Sequence, residues 1–386
     1  MKKKIGILPR LFIAIALGAV IGLYAPACVM RSLNCFRDTF GQFIKFFVPF
    51  IIIGLVTPAI ADTGRTAGRT LLVTMGIAYA STLFAGYFAY GVSCGVFPLI
   101  MSGGLRDAAT RAFPAYFSLK IPPLMEVTTA LAVAFLVGLG IVASKAETLE
   151  RAAHELRDIV ARALETVFVP LLPFYVLATM ADLTGSGRLA LVGGGCLKIM
   201  GVALATTTAV LMVQFTVAGI VARRNPFKAL WTMLPAYLTG WGCCSSAATI
   251  PYTLAQTRKN GVSEETADLV IPLCANVHLA GSMANMVIYA AGLAVLAGDA
   301  LPLGAYTEYI LMVSITAVAS PGVPGGVVLA CASVAEAALG FSAERYAIMI
   351  AVYMALDGMG TACNLTGDGA IALLVDKFRK GKTEIT

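Results

Sequence analysis

Charge is what this sequence has least of. Asp, Glu, Lys and Arg make up 13% of its 386 residues, against 59% hydrophobic ones, whereas soluble globular chains carry about 25% charged residues. So few charges cannot cover the surface of a water-soluble molecule of this size. With a mean hydropathy of +0.84, much of the surface is expected to face lipid. Histidine occurs twice, and the nine cysteines show no zinc-ligand spacing, since Cys243 and Cys244 are adjacent and most others lie in apolar runs. They read as small apolar fillers; a disulfide from Cys28 or Cys35 to Cys94, outside the membrane, stays open as an alternative. No Walker loop, HExxH, dinucleotide fingerprint or nucleophile–base–orienter set occurs. With no chemical engine of its own, the chain is expected not to be an enzyme, and to draw on an ion gradient for any work on a solute.

Long apolar runs are what it does have. They lie near 10–30, 42–62, 70–92, 121–144, 158–181, 188–221, 266–298 and 342–376. The first follows Lys2, Lys3 and Lys4, as in a signal peptide. It is too long for that role and is followed by further spans, so it reads as a retained helix. The net charge of +7 gathers between runs, at Arg65 and Arg69, Lys145 to Arg157, Arg223 to Lys228, Arg258 and Lys259, and Lys377 to Lys382. That is the pattern of short cytoplasmic loops rather than of a nucleic-acid patch. Residues 227–258 and 308–340 differ from simple spans. Each has two short apolar arms around a polar or Gly/Pro-rich tip, at 238–249 and 320–326. Such breaks are tolerated at membrane depth only inside protein or beside a cavity, so both segments are predicted to be re-entrant. Six spans, a hairpin from inside, a seventh span, a hairpin from outside and an eighth span leave both termini cytoplasmic. Reading both hairpins as full crossings closes the count as well. The expected fold is an all-α polytopic protein of the cell inner membrane, with eight transmembrane helices plus two re-entrant helical hairpins.

The residues that can do chemistry concentrate in the second half. Asp357, Thr361, Asn364 and Asp368 recur at helical spacing and form one polar stripe. Two carboxylates inside an apolar span are costly and need a cation, an ammonium group or protons as partners. No Lys or Arg lies on this helix between Tyr346 and Leu374, which favours an imported positive charge. Gly358, Gly360 and Gly367 leave room for a ligand or mark local unwinding. His278 lies in mid-span and can be neutral or charged near pH 7. It serves proton coupling, solute or cation contact, or a helix–helix hydrogen bond. His154 reads as solvated surface. A weak internal repeat pairs each hairpin with a polar break in the next helix, setting His278 over Asn364, Gly281 over Gly367 and Ser282 over Asp368. Ser245, Ser246 and Thr249 supply hydroxyls at the first tip. Free N–H groups near Gly326 can meet a carboxylate, and Asp357 or Asp368 an ammonium. The set suits a zwitterionic amino acid and, through its oxygens, Na⁺. A channel, or a membrane enzyme using Asp357, Asp368 and His278 as proton carriers, is the competing class.

At these hairpins the chain resembles the dicarboxylate/amino acid:cation symporter family, the glutamate and neutral amino acid transporters. The resemblance lies in Cys244-Ser245-Ser246-Ala247-Ala248-Thr249-Ile250-Pro251, in Gly322-Val323-Pro324-Gly325, and in Asp357 with Thr361, Asn364, Gly367 and Asp368. The N-terminal half matches mainly by hydropathy. The resemblance implies a homotrimer with an elevator mechanism. Residues 1–62 and 94–185 would be scaffold, 63–93 a transport-domain helix and 186–386 the transport-domain core. It implies that Asp357 takes the substrate ammonium beside Thr361, that Asn364 and Asp368 help bind Na⁺, and that the tip at Gly322, Val323, Pro324 and Gly325 gates the site.

The departures from the family shape the expected substrate. Gly360 and Cys244 stand where acidic-substrate members or many others carry Arg. A second substrate carboxylate would therefore go unpaired. This favours a small neutral amino acid such as serine, threonine or alanine over the alternative, a C4-dicarboxylate or acidic amino acid. His278 and Ala280 replace an Asn and an Asp of the family's sodium-binding break, and Cys274 replaces a glycine whose carbonyl ligates. Fewer coupled Na⁺ ions, or H⁺ coupling through His278, are expected. No cofactor and no nucleic-acid partner is implied.

Overall fold

The structure, a computed structural model, describes residues 7–65, 69–101, 113–117, 119–187, 189–318, 320 and 325–383, and no strand occurs among them. Helix α1 (Ile7–Tyr24) ends before Pro26, and α2 (Ala27–Arg65) starts directly after it. The first apolar run thus spans a helix break, because a proline disfavours helical geometry in the residue before it. Helix α3 covers Arg69–Ile100 and α4 Val127–Ser144. The latter starts later than the run at 121–144 suggests, since Pro122 and Pro123 keep their segment out of helix. The charged stretch expected as a loop is instead α5 (Glu147–Ala163), with Glu147 and Glu150 in its first turn, where acidic groups complement the helix dipole. A π-helical turn, Leu164–Phe168, leads into α6 (Val169–Gly185). The path bends by 48° there, next to Pro170 and Pro173, which cannot donate the backbone bonds of a straight helix. His154 lies half-buried on α5.

After α7 (Leu189–Ala222) the first hairpin folds as α8 (Pro226–Thr232), α9 (Leu234–Cys243) and α10 (Ser246–Lys259). Its tip is Cys244, in the left-handed region at φ 50°, followed by Ser245. Helices α11 (Glu264–Val277) and α12 (Ala280–Leu296) form one span interrupted at His278 and Leu279. The second hairpin is α13 (Leu303–Val318), α14 (Gly326–Ala330) and α15 (Ala332–Leu339), and α16 (Ala343–Thr383) closes the chain. Three helices are long and apolar enough to cross a membrane among the described residues, or five if each of two bent pairs is one span. The protein is a multi-pass membrane protein with helical hairpins.

Two of the open alternatives are settled here. Cys28, Cys35 and Cys94 are all free thiols; Cys35 instead accepts the Tyr116 N–H at 3.0 Å. The last span is not unwound at its glycines. Helix α16 is continuous from Ala343 to Thr383 and bends by 62° at Met354–Leu356, before the polar stripe begins. No unwinding is needed, because the broken α11–α12 span supplies the partners of Asn364 and Asp368.

Helix α12 sits at the centre, packed by α3, α7 and α16. The α11–α12 span is 94% buried over its most apolar window, against 28% for α3 and 39% for α7, which turn most of their surface outward. Helices α1, α2, α4, α5 and α6 pack mainly on one another. Between α2 and α6, Arg37 pairs with Asp182 at 3.0 Å, and Asn34 donates to Asp182 at 2.8 Å. Rings from α2, the π turn and α6, among them Phe40, Phe43, Phe168 and Tyr175, stack beside that network.

Candidate functional site

A compact cavity of about 70 Å³ lies where the two hairpin tips meet the α11–α12 break and α16. Cys244, Ser246, Asn276, Ser282, Asp357 and Thr361 are among its walls, with Asn364, Tyr353 and Gly326. The sequence places these groups together for a local reason. Helix α11 ends at the break because His278 and Leu279 leave helical geometry. The first N–H groups of α12 are thereby freed in a dry interior. Asn364 on α16 satisfies two of them: its Oδ1 accepts from Gly281 at 2.7 Å and from Ser282 at 3.2 Å. Its Nδ2 donates to Ser282 Oγ at 2.9 Å. Thr82 on α3 accepts from the Leu279 N–H at 3.1 Å. Helices α12 and α16 approach closely enough that a Cβ on Gly281 would lie 2.4 Å from Cys363 Cβ. Only glycine fits such a crossing.

Asp357 is buried in the cavity wall, 6% exposed. Its Oδ2 accepts the Gly325 N–H at 2.8 Å, which ties the second hairpin to α16. Gly325 has φ +75°, and a Cβ there would lie 2.3 Å from Met354 Sδ. Among the described residues no Lys, Arg or His forms an ion pair with Asp357. Thr361 lines the cavity and donates to the Asp357 carbonyl at 3.2 Å.

Asp368 has a different environment. It lies at zero exposure, and His278, equally buried, meets its Oδ1 through Nδ1 at 2.9 Å. The other face of the ring, Nε2, meets Ser81 Oγ at 3.1 Å and Gln214 Nε2 at 3.2 Å, and Gln214 donates to Ser81 at 2.8 Å. No Lys or Arg on α16 pairs with Asp368, as expected, but an imported positive charge is not its sole possible partner, since His278 meets it. The partner comes from the helix break rather than from α16, and sequence distance hid it. Asp368 Oδ2 has no hydrogen-bond partner among the described residues.

The other expected site residues fall into place unevenly. Ser246 lines the cavity, while Ser245 at the tip is half-buried and outside the wall. Thr249 is fully buried and donates to the Ser245 carbonyl at 2.9 Å, holding the tip from behind. Cys274 is fully buried on α11, and its carbonyl accepts the His278 N–H at 2.8 Å. Gly322, Val323 and Pro324 lie outside the described residues. Sequence reading missed Ser81 and Gln214. Gln214 is the single side-chain amide in the run at 188–221, whereas Ser81 stands among other hydroxyls such as Thr74 and Thr82 in the run at 70–92 and carries no signal of its own until His278 is known to need partners.

Comparison with known proteins agrees with this geometry. Residues 7–378 match the model of the sodium:dicarboxylate symporter family. The chain is 24% identical over 400 residues to "Serine/threonine transporter SstT" of Streptococcus thermophilus strain CNRZ 1066, covering 98% of this chain and 97% of that one. It is 25% identical over 400 residues to the protein of the same name from Acinetobacter baumannii, covering 97% of each. To that of Acinetobacter baylyi it is 23% identical over 398 residues, covering 98% of each. A match across nearly the whole sequence places this chain in the sodium:dicarboxylate symporter family.

Proposed function

We propose that the protein is a secondary active symporter that imports a small neutral amino acid of the serine, threonine or alanine type, coupled to Na⁺. The observation that carries this reading is Asp357, a carboxylate in the cavity wall that accepts the Gly325 N–H and pairs with no Lys, Arg or His among the described residues. A buried charge of that kind needs a cationic counterpart, and a substrate α-ammonium supplies it. Ser246 and Thr361 offer hydroxyls beside it. With Gly at 360 and Cys at 244, the wall has no guanidinium for a second substrate carboxylate. Relatives named as serine/threonine transporters support the same substrate class.

For the coupling ion, the free Oδ2 of Asp368 is an oxygen ligand available to Na⁺. Asn364 has already given its oxygen to α12 in this arrangement. The hydrogen bond from His278 to Asp368 favours a second reading of this pocket, in which the pair carries H⁺ in place of one Na⁺. The working form is an elevator of eight spans and two re-entrant hairpins in a homotrimer, with both termini cytoplasmic. Helices α1, α2 and α4–α6 form the scaffold, and α3, α7 and the hairpin-bearing half form the moving body. The denser packing within each of these two sets than between them supports this division.

Uptake into proteoliposomes under Na⁺ and proton gradients imposed separately tests the proposal. Labelled serine and alanine are expected to accumulate, and aspartate and succinate to compete poorly. Saturable aspartate uptake without competition by serine overturns the substrate class. Absence of any Na⁺ dependence overturns the coupling ion.

A further inference from the structure

One turn beyond Ser282 on α12, Asn285 is 1% exposed, and neither its Nδ2 nor its Oδ1 has a hydrogen-bond partner among the described residues. Its neighbours along the α12–α16 seam are engaged. Ser282 bonds Asn364, Asn364 bonds Gly281 and Ser282, and Thr361 bonds the Asp357 carbonyl. A buried amide with donor and acceptor both idle is costly and calls for a reason.

The amide faces Gly360. A Cβ built there would lie 3.0 Å from Asn285 Nδ2 and 3.4 Å from Ser282 Oγ. Ser282, Asp357 and Thr361 line the cavity; Gly360 and Asn285 stand next to that wall, and Gly360 offers bare backbone where any other residue would screen the amide. The seam therefore sets the unpaired amide of Asn285 on α12 against the stretch of α16 that carries Asp357.

We infer that Asn285 is a specificity-determining residue that reads a hydroxyl on the substrate's side chain across Gly360. This rests on the amino-acid symport reading. An amide offers an N–H donor and a carbonyl acceptor side by side, which is what a hydroxyl needs, since it both donates and accepts. An alanine methyl leaves both amide groups idle. A side-chain carboxylate satisfies the donor but sets its charge against Oδ1 and the nearby Asp357.

The test compares labelled L-serine and L-alanine uptake by the purified full-length protein in proteoliposomes. The wild type is expected to favour serine in kcat/KM. Asn285→Leu, which keeps the volume and removes both polar atoms, is expected to lower the serine:alanine ratio about tenfold. Gly360→Ala leaves Asn285 in place and sets a methyl in front of its amide, and is expected to lower the same ratio. A merely structural role would slow both substrates alike. An unchanged ratio in either variant that still transports overturns the inference, as does a wild type that takes serine and alanine equally. A wild type that accumulates no amino acid under either gradient defeats the symport reading itself, and this inference with it.

Discussion

Asp357 has two tasks that can be separated by one atom. Its Oδ2 holds the Gly325 N–H at 2.8 Å, and its charge faces a cavity with no basic wall. Asp357→Asn keeps an oxygen for Gly325 and removes the charge. Truncating one member of a buried charge pair costs about 2–5 kcal/mol, and each 1.4 kcal/mol is about tenfold in affinity. Serine affinity, read by calorimetry or by concentration-dependent uptake, should fall by about 100-fold or more while the protein stays folded. An affinity within threefold of wild type would show that the ammonium is held elsewhere. His278 poses the opposite case, because its partner is inside the protein. His278→Ala strands Asp368 Oδ1 with no donor at zero exposure, which costs about 3–5 kcal/mol. His278→Asn can still donate to that oxygen. The alanine variant should therefore melt well below the wild type in detergent and the asparagine variant close to it. Equal melting temperatures for the two would mean that the His278–Asp368 contact stabilises little.

At the scale of elements, the interrupted α11–α12 span explains why α16 stays helical through its polar stripe. A break frees N–H groups, and Asn364 on the neighbouring helix takes two of them. Asn364→Ala leaves those donors buried without a partner, at about 1–3 kcal/mol. Gly281→Ala drives a Cβ to 2.6 Å from the Gly360 carbonyl oxygen, which is backbone and cannot rotate away, so overpacking costs about 1–3 kcal/mol. Both variants should lower the melting temperature of the detergent-solubilised protein, and protease digestion should show early cleavage in α11 or α12. Cleavage first in α4 or α5 would place the weak point elsewhere. Much of this was legible in the sequence. Gly and Ser at the tips, and a polar stripe at helical spacing, located the hairpins and the acid-bearing face of α16. Two features were not legible, for a physical reason. Whether a polar patch unwinds its helix depends on which partner the neighbouring helix presents, and Asp368 meets His278 across 90 residues of chain. Likewise Pro26 and Pro122 moved helix ends that hydropathy alone had smoothed over.

For the whole molecule, charge bears on the proposed orientation. Arg258 pairs with Glu264 and Asp268 at the base of the first hairpin, and Arg379 with Glu265 at the end of α16. Hairpin, broken span and last helix are thereby tied at one membrane face, the one that also carries Lys259 and Lys377. On the opposite face Arg37 is offset by Asp38 and Asp182, and Arg345 by Asp299 at 2.7 Å. Unpaired positive charge favours the cytoplasm, which supports the proposed orientation with the first face inside. In the proposed orientation the exposed thiols Cys28 and Cys94 lie near the outer ends of α2 and α3, and Lys259 is exposed at the inner base of the first hairpin. In intact cells a membrane-impermeant maleimide should label Cys28 and Cys94. With both replaced by alanine, Lys259→Cys should label only after the cells are permeabilised. Labelling of Lys259→Cys in intact cells would invert the protein in its membrane. The Asp357 cavity would then load from the opposite side, and import would have to be rewritten as export.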